Sequence, residues 1–588
     1  IYDEFDGVDK PEQIKYFIKH AIEEYGVTYV LLAGGLKSIF YAKARDDPNQ
    51  GSRDWYVPVR YNNLYDNPQY PLNSEEPLHD PGCISDLYYA DVYRYNETSE
   101  QNEFESWNPN GDDYFAAWRH PIAENDTDLD YRPDVSLGRL AFRNRLEVKN
   151  VVDKIIKYET TELNSEWFEK MTVIGGDGFL DQERLEIAWD TNELPTGKYI
   201  IYAQSTNEDN ISGPIDEVDV LVDKTKDSAV TFNHDDHLLM DDFPNYPARP
   251  IATVTSPSCG DILGSTNVSS KPGDGDAYLN ERLGWADVDY IDEIMYIRGK
   301  SYDPRPYGVT TDMHVWVENE DGMIVFDQYV NDLEMYYEGE WVTGERLLNG
   351  GGGALYYMPE NFTRDILWPS NGRLTGPHDV IHALSEGAGF VFFSGHGSPN
   401  VWANHYPGVP GNRQHGDVEG LSVTGISIWP GMRSRPLAPM NKIKNYDKLP
   451  VAVVGGCHNG MFNVSMIPCL LDIQNKHNMH SYGTPIPSCF CWNLVKLRGR
   501  GAIASIGNTG YGYGVPGKDC TSLGLDGGIC IEFFKQYGTN GHEVLGDAYI
   551  QTQNAYVDQF DMEFMDHAKS LTQWVLFGDP SLMLGGYE

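Results

Sequence analysis

Short apolar runs alternate with amphipathic stretches over roughly the first 180 residues and again after about residue 350. Residues 11–25 place apolar side chains at helical spacing, with Pro11 early, where helices tolerate proline. This predicts a helix ended by Gly26. The following Tyr29-Val30-Leu31-Leu32-Ala33-Gly34-Gly35 predicts a buried strand. Val135 to Leu140 predicts a short strand, Leu146 to Tyr158 a helix, and Met171 to Gly176 another strand. Strands that alternate with helices imply a parallel, helix-flanked sheet. The same pattern returns with a helix over Asp379 to Gly387 and apolar strands at Phe390–Ser394, Val451–Val454 and Gly501–Gly507. A last apolar run, Trp574-Val575-Leu576-Phe577, leads into Gly578-Asp579-Pro580-Ser581-Leu582.

Between these two regions the period changes. Residues 196–330 are rich in alternating stretches such as Lys198–Ala203, Val218–Val222 and His314–Val317, separated by acidic and turn-like segments. A period of two predicts an inserted, sandwich-like β-rich module. The tract Asn349-Gly350-Gly351-Gly352-Gly353 reads as a flexible join. The expected organisation is therefore an α/β part over 1–178, the β-rich module over 179–350, and a second α/β part over 351–588.

Bulk properties narrow the function. At 588 residues the chain exceeds one ordinary core. Its 44 basic residues face 88 acidic ones, a net charge of -44. Phosphate backbones would be repelled, so nucleic acid is excluded as a partner, and cationic partners or divalent metals are favoured. No apolar run approaches the ~20 residues that span a bilayer. The chain begins at Ile1 rather than Met, which reads as a trimmed N-terminus. Asn-x-Ser/Thr triplets at Asn96, Asn125, Asn210, Asn267, Asn361 and Asn463 permit export.

The chemistry concentrates at two strand ends. Phe390-Val391-Phe392-Phe393 runs into Ser394-Gly395-His396-Gly397-Ser398, and Val451-Ala452-Val453-Val454 runs into Gly455-Gly456-Cys457-His458-Asn459-Gly460. Open α/β sheets carry their sites at the carboxyl ends of strands. An imidazole and a thiol there would equip a cysteine-nucleophile hydrolase, with Cys457 attacking and His396 moving the proton. The 61 residues between them suffice for one crossover to the next strand. Such a pair alone is more often a buried thiol and a satisfied histidine. His458 is a second candidate base, expected to face away because neighbouring strand residues alternate. Asp126-Thr127-Asp128-Leu129-Asp130 and Gly273-Asp274-Gly275-Asp276 alternate carboxylates as calcium loops do, without completing an EF-hand. His234-Asp235-Asp236-His237 reads equally as a metal site or a polar loop, and Cys489-Phe490-Cys491 is too close for a zinc hook.

Seven blocks in one order resemble the gingipain-type cysteine peptidases, relatives of caspases and legumains. They are Tyr29–Gly35, Ser85-Asp86-Leu87-Tyr88-Tyr89, Gly138-Arg139, Val152–Glu159, Gly395-His396-Gly397-Ser398 with Trp402, Cys457-His458-Asn459-Gly460, and Phe577–Leu582. The resemblance implies a caspase-like, open, mostly parallel sheet and a secreted, extracellular endopeptidase that acts on proteins or peptides. It implies an oxyanion hole from the backbone N–H groups of Gly397 and Cys457, with Ser398 and Trp402 shaping the neighbouring wall. It places an acid that orients His396, or lines the pocket, at Asp177. It assigns Ser505–Tyr513 to the wall for the residue before the scissile bond, with a preference for Arg or Lys served by Asp177 or Asp526. No cofactor is needed for the chemistry, and structural Ca2+ fits the family. Most of the family's first α/β subdomain is absent ahead of Ile1, and is read as cleaved away as a propeptide, kept as a companion chain, or never present. An exopeptidase, a self-processing transpeptidase and an inactive adhesion or scaffold protein remain as alternatives.

Overall fold

The computed structural model describes residues 1–42, 50–64, 82–96, 98–118, 123–127, 129–160, 166–175, 183–207, 209–231, 250–269, 289–302, 310–331, 335–337, 340–342, 354–355, 357–367, 373–405, 417–425, 437–467, 485–514 and 524–587. An eight-stranded sheet forms its centre. In chain order its strands are β1 (Tyr29–Ala33), β2 (Ser136–Leu140), β3 (Lys170–Gly175), β4 (Thr363–Leu367), β5 (Phe390–Ser394), β6 (Val451–Gly455), β7 (Ala504–Asn508) and β8 (Trp574–Phe577). Across the sheet they run β1-β2-β8-β7-β6-β5-β3-β4.

The sheet is two parallel blocks. Strands β1, β2 and β8 are mutually parallel. Strands β7, β6, β5, β3 and β4 are also mutually parallel. The blocks meet where β7 and β8 pair antiparallel, Ser505 opposite Phe577. All five residues of β6 and of β7 are buried, as expected of strands covered by helices on both faces. Strand β1 departs from the expected full burial. It is an edge strand, and Leu31 is 40% exposed.

The helices are α1 (Lys10–Tyr25), α2 (Arg145–Glu159), α3 (Pro377–Glu386), α4 (Phe490–Lys496), α5 (Leu525–Gly538), α6 (Leu545–Gln559) and α7 (Met565–Thr572). Local chemistry sets their ends. The Asp9 side chain accepts the Glu12 N–H, and Gly26 closes α1 in the left-handed conformation at φ 65°. Asn144 caps α2 by accepting from Leu146 N and Glu147 N. The buried side of α1 carries Ile14 and Ile18.

Strands β3 and β4 bracket the β-rich region and pair directly, Lys170 opposite Thr363. The region between them has its own core. One sheet orders Asp261–Leu263, Ser212–Val222, Gly197–Asn207, Thr310–Asn319 and Ile324–Asn331. The other pairs Ile294–Tyr302 with Glu183–Asp190, with Ile251–Ser256 and with the short Tyr290–Ile291. Alternate residues of Gly197–Asn207 are buried, so Tyr199, Ile201 and Ala203 meet Trp189, Val254, Met295 and Val315 in one apolar cluster. The glycine tract 350–353 lies outside the described residues.

Two family-like blocks 53 residues apart meet in the core. Arg139 of β2 donates from Nε and Nη2 to Asp86 Oδ2 and Oδ1 at 2.6 and 2.7 Å, and both residues are buried. Arg139 Nη1 also donates to the Gly34 carbonyl at 2.9 Å. A forked guanidinium matches a carboxylate and a turn carbonyl at once. The pair thus ties the end of β1 to β2 and to the segment before the short helix Leu87–Ala90.

Candidate active site

Strands β5 and β6 are parallel neighbours, with Ser394 opposite Gly455. Each chain continues past that last pair by two residues, to His396 and to Cys457. The structure therefore brings both candidates to the same carboxyl edge of the five-strand block. Beyond β5, His396 and Gly397 turn back to pair with Ala403 and Trp402 of the strand Val401–His405. His396 is exposed, and Cys457 is intermediate in exposure. A surface position lets a substrate approach both.

The two turns are laced together. Asn459 is fully buried and donates from Nδ2 to the carbonyls of Ser398 at 2.7 Å and Val401 at 3.1 Å. The cysteine turn thereby holds the histidine turn. Trp402, also fully buried, donates its indole N–H to the Gly455 carbonyl at 3.1 Å. The ring acts as a strut beneath the site rather than as an exposed pocket wall. Gly397 packs against the same assembly: a Cβ there would stand 2.0 Å from Asn459 Oδ1 and 2.8 Å from the Cys457 carbonyl oxygen. Glycine at 397 is therefore required by contact with its own fold, in addition to any need to admit a substrate carbonyl.

His458 is not part of the strand, so strand alternation does not govern it. Its φ is 55°, a left-handed turn conformation unusual for a side-chain-bearing residue. Its N–H donates to the Gly510 carbonyl at 2.7 Å. Its ring is largely buried edge-to-face against Tyr511, with centroids 4.4 Å apart. The turn thus docks on the segment that follows β7.

Asp526 does not open into a pocket as an acid for a substrate cation would. It is buried and accepts four hydrogen bonds, from Asn508 Nδ2, Tyr513 N, Gln573 Nε2 and Trp574 Nε1. Burial pushes its carboxyl up to about 7, against the pull of those donors. Asp177 lies outside the described residues, as do Asp128, residues 234–237 and residues 273–276. Asp126 turns Oδ2 onto the Ala117 N–H at 2.8 Å, and Asp130 accepts from Arg132 N at 3.1 Å. Among the described residues no three histidine, cysteine or acidic groups converge as a metal site would need. Cys489 and Cys491 are buried, and burial pushes the Cys489 thiol up to about 11, which leaves it inert as a nucleophile. Among the described residues no helix is long and apolar enough to cross a membrane.

Asn459 had no assigned role in the sequence, and Gly512, whose N–H reaches the Cys457 sulfur at 3.3 Å, was assigned only to the wall of the substrate pocket. The glycine-rich run Gly507–Gly514 was the available signal for close backbone approach. Asn459→Ala removes both clamps and leaves two carbonyls short of a donor. It is expected to lower kcat/KM by about 10- to 100-fold, because misplacing a reacting group by ~1 Å costs on that order. Steady-state kinetics on the folded variant check this.

An α/β sheet that brings an imidazole and a thiol to one edge is the equipment expected of a cysteine-type peptidase. A model of Peptidase family C25 matches residues 1–238 and 310–585, and the chain belongs to that family, the gingipains. Among solved structures the chain is similar to the Arg-specific cysteine proteinase gingipain R, at 13% identity and TM-score 0.40, covering 99% of this chain and 71% of that one. It is also similar to a complex of the pro- and mature domains of RgpB from Porphyromonas gingivalis, at 13% identity and TM-score 0.39, covering 97% and 70%. A third structure, titled only as a protease, aligns at 10% identity and TM-score 0.36, covering 98% and 68%. No curated protein matches the chain.

Proposed function

We propose that this peptidase cleaves internal peptide bonds after Arg or Lys, with Cys457 as nucleophile and His396 as proton carrier. The observation that supports it is the pairing of β5 with β6, which sets both residues two positions past Ser394 and Gly455. In this reading His396 takes the Cys457 proton as the sulfur bonds to the carbonyl carbon, and the carbonyl π pair moves onto oxygen. The N–H groups of Gly397 and Cys457 receive that oxyanion. Collapse breaks the C–N bond while His396 gives its proton to the departing amine. Water then loses a proton to His396, attacks the thioester and releases the acid and the thiol. These steps need no cofactor.

The basic preference rests on family membership and assigns the pocket acid to Asp177. Asp526 is already committed to four protein donors. A panel of fluorogenic peptides varied at the residue before the scissile bond tests the reading. Cleavage after Arg should exceed cleavage after its uncharged isostere citrulline by at least about 100-fold, the scale of a desolvated charge pair. Asp177→Asn should erase most of that ratio. Cleavage after another residue type would sink the basic preference. Release of terminal residues alone would point to an exopeptidase.

A further inference from the structure

The segment from Thr509 to Gly514 leaves β7 and passes directly over the cysteine turn. Its Gly512 N–H donates to Cys457 Sγ at 3.3 Å, and that sulfur lies 3.7 Å from the Gly512 carbonyl oxygen. Three glycines alternate with Tyr511 and Tyr513 in 510–514; Tyr511 packs on His458 and the Tyr513 hydroxyl accepts from Lys569 Nζ at 3.2 Å. A carboxylate from a separate element anchors the backbone between them. Asp526, in the first turn of α5, accepts the Tyr513 N–H at 2.7 Å and Asn508 Nδ2 at 2.8 Å on Oδ2. Its Oδ1 accepts Gln573 Nε2 at 3.2 Å and Trp574 Nε1 at 3.1 Å. One side chain thus joins the end of β7, the segment over the thiol and the start of β8.

The contact with Gly512 is as close as chemistry allows. A Cβ at 512 would stand 2.4 Å from Asp526 Oδ2 and 3.5 Å from the Cys457 backbone nitrogen. The carboxylate therefore backs the residue whose N–H reaches the sulfur. All four of its donors are neutral amide or indole groups, and holding a carboxylate in such a place is costly. Four donors converging on two oxygens at fixed positions fit a carboxyl group, whereas an amide of the same shape would turn an NH2 against one pair of them.

We propose that Asp526 is a positioning residue for the Cys457 thiol: it holds residues 510–514 so that the Gly512 N–H meets the sulfur. This rests on the reading of Cys457 as the nucleophile. The N–H at 3.3 Å favours thiolate over thiol, against the weaker 3.7 Å contact in which the thiol donates to the Gly512 carbonyl, and so raises the reactive fraction at neutral pH. Asp526 touches neither substrate nor sulfur itself.

The test is the rate of Cys457 alkylation by iodoacetamide at pH 7, read by peptide mass mapping on the full chain, beside kcat and KM. Asp526→Asn puts an amide NH2 where two donors point, and should slow alkylation about tenfold, the scale of one hydrogen bond to a charged group. It should lower kcat with it. A merely structural loss would have the opposite sign, because a loosened site exposes the thiol and speeds alkylation. Gly512→Ala, whose methyl meets Oδ2, should also slow alkylation about tenfold. In an Asp526→Ala background the 2.4 Å contact is gone and only Asn508 Nδ2, 3.1 Å from the added Cβ and freed from Asp526, has to yield, so the further effect of Gly512→Ala should be clearly smaller than in the wild type, under about threefold. Alkylation of Asp526→Asn at or above the wild-type rate overturns the proposal, as do effects that simply multiply. If Asp526→Asn does not fold, Gly512→Ala alone decides, with wild-type alkylation overturning it. Alkylation needs no turnover, so a failed peptidase reading appears separately, as wild-type activity that survives Cys457→Ala.

Discussion

Cys457→Ala is expected to lower kcat/KM for peptide cleavage by at least about 10⁴-fold, the scale on which nucleophile removal acts in hydrolases with an activated side chain. The fold should not change. Cys457 lies past the end of β6 and is only partly buried, so losing its sulfur opens no core cavity. His396→Ala should cost nearly as much, and the double variant little more. Nucleophile and base act as one unit, so removing either removes the unit. Steady-state kinetics with active-site titration check both variants. Turnover retained in Cys457→Ala would refute the nucleophile assignment outright.

Arg139→Met is expected to destabilise the protein by about 3–5 kcal/mol, the cost of leaving one member of a buried ion pair alone. Asp86 would remain buried at 3% exposure without its forked partner, and the Gly34 carbonyl would lose a donor. Asp86→Leu combined with Arg139→Met should recover much of the loss, since an apolar pair of similar volume carries no stranded charge. Chemical unfolding midpoints of the three variants measure this. A single-variant cost under about 1 kcal/mol would show that solvent reaches the pair. The same variant reports on architecture, because Arg139 stands in β2, beside the strand that joins the two parallel blocks.

The helix over residues 11–25 and the strands at 390–394 and 451–455 were legible because their signals are local. Apolar runs, helical spacing, Asp9 before Pro11 and Gly26 after Tyr25 act within a few residues of each other. The module's alternation was legible for the same reason, and its period of two appears as alternate burial in Gly197–Asn207. Local signals could not say which strands lie at an edge. Leu31 belongs to an apolar run like that of β6, yet among the described residues β1 has a neighbour on one side only and β6 on both. Nor could they show that β8 runs against β7, which depends on contacts between residues some 70 positions apart.

The candidate site divides along the same line. His396 and Cys457 were visible because glycines at the ends of apolar strands mark where an α/β sheet exposes side chains. By itself the sequence determined the α/β pattern with its β-rich interruption, the pair of residues equipped for thiol chemistry and the family to which those blocks belong. Only the tertiary structure decided what each polar residue serves. Asp526 became a buried acceptor beneath Gly512, Asn459 a clamp between two turns, and Asp86 the partner of Arg139. A side chain's hydrogen-bonding capacity is a property of its type. The partner that satisfies it comes from whichever distant segment packing brings within about 3 Å.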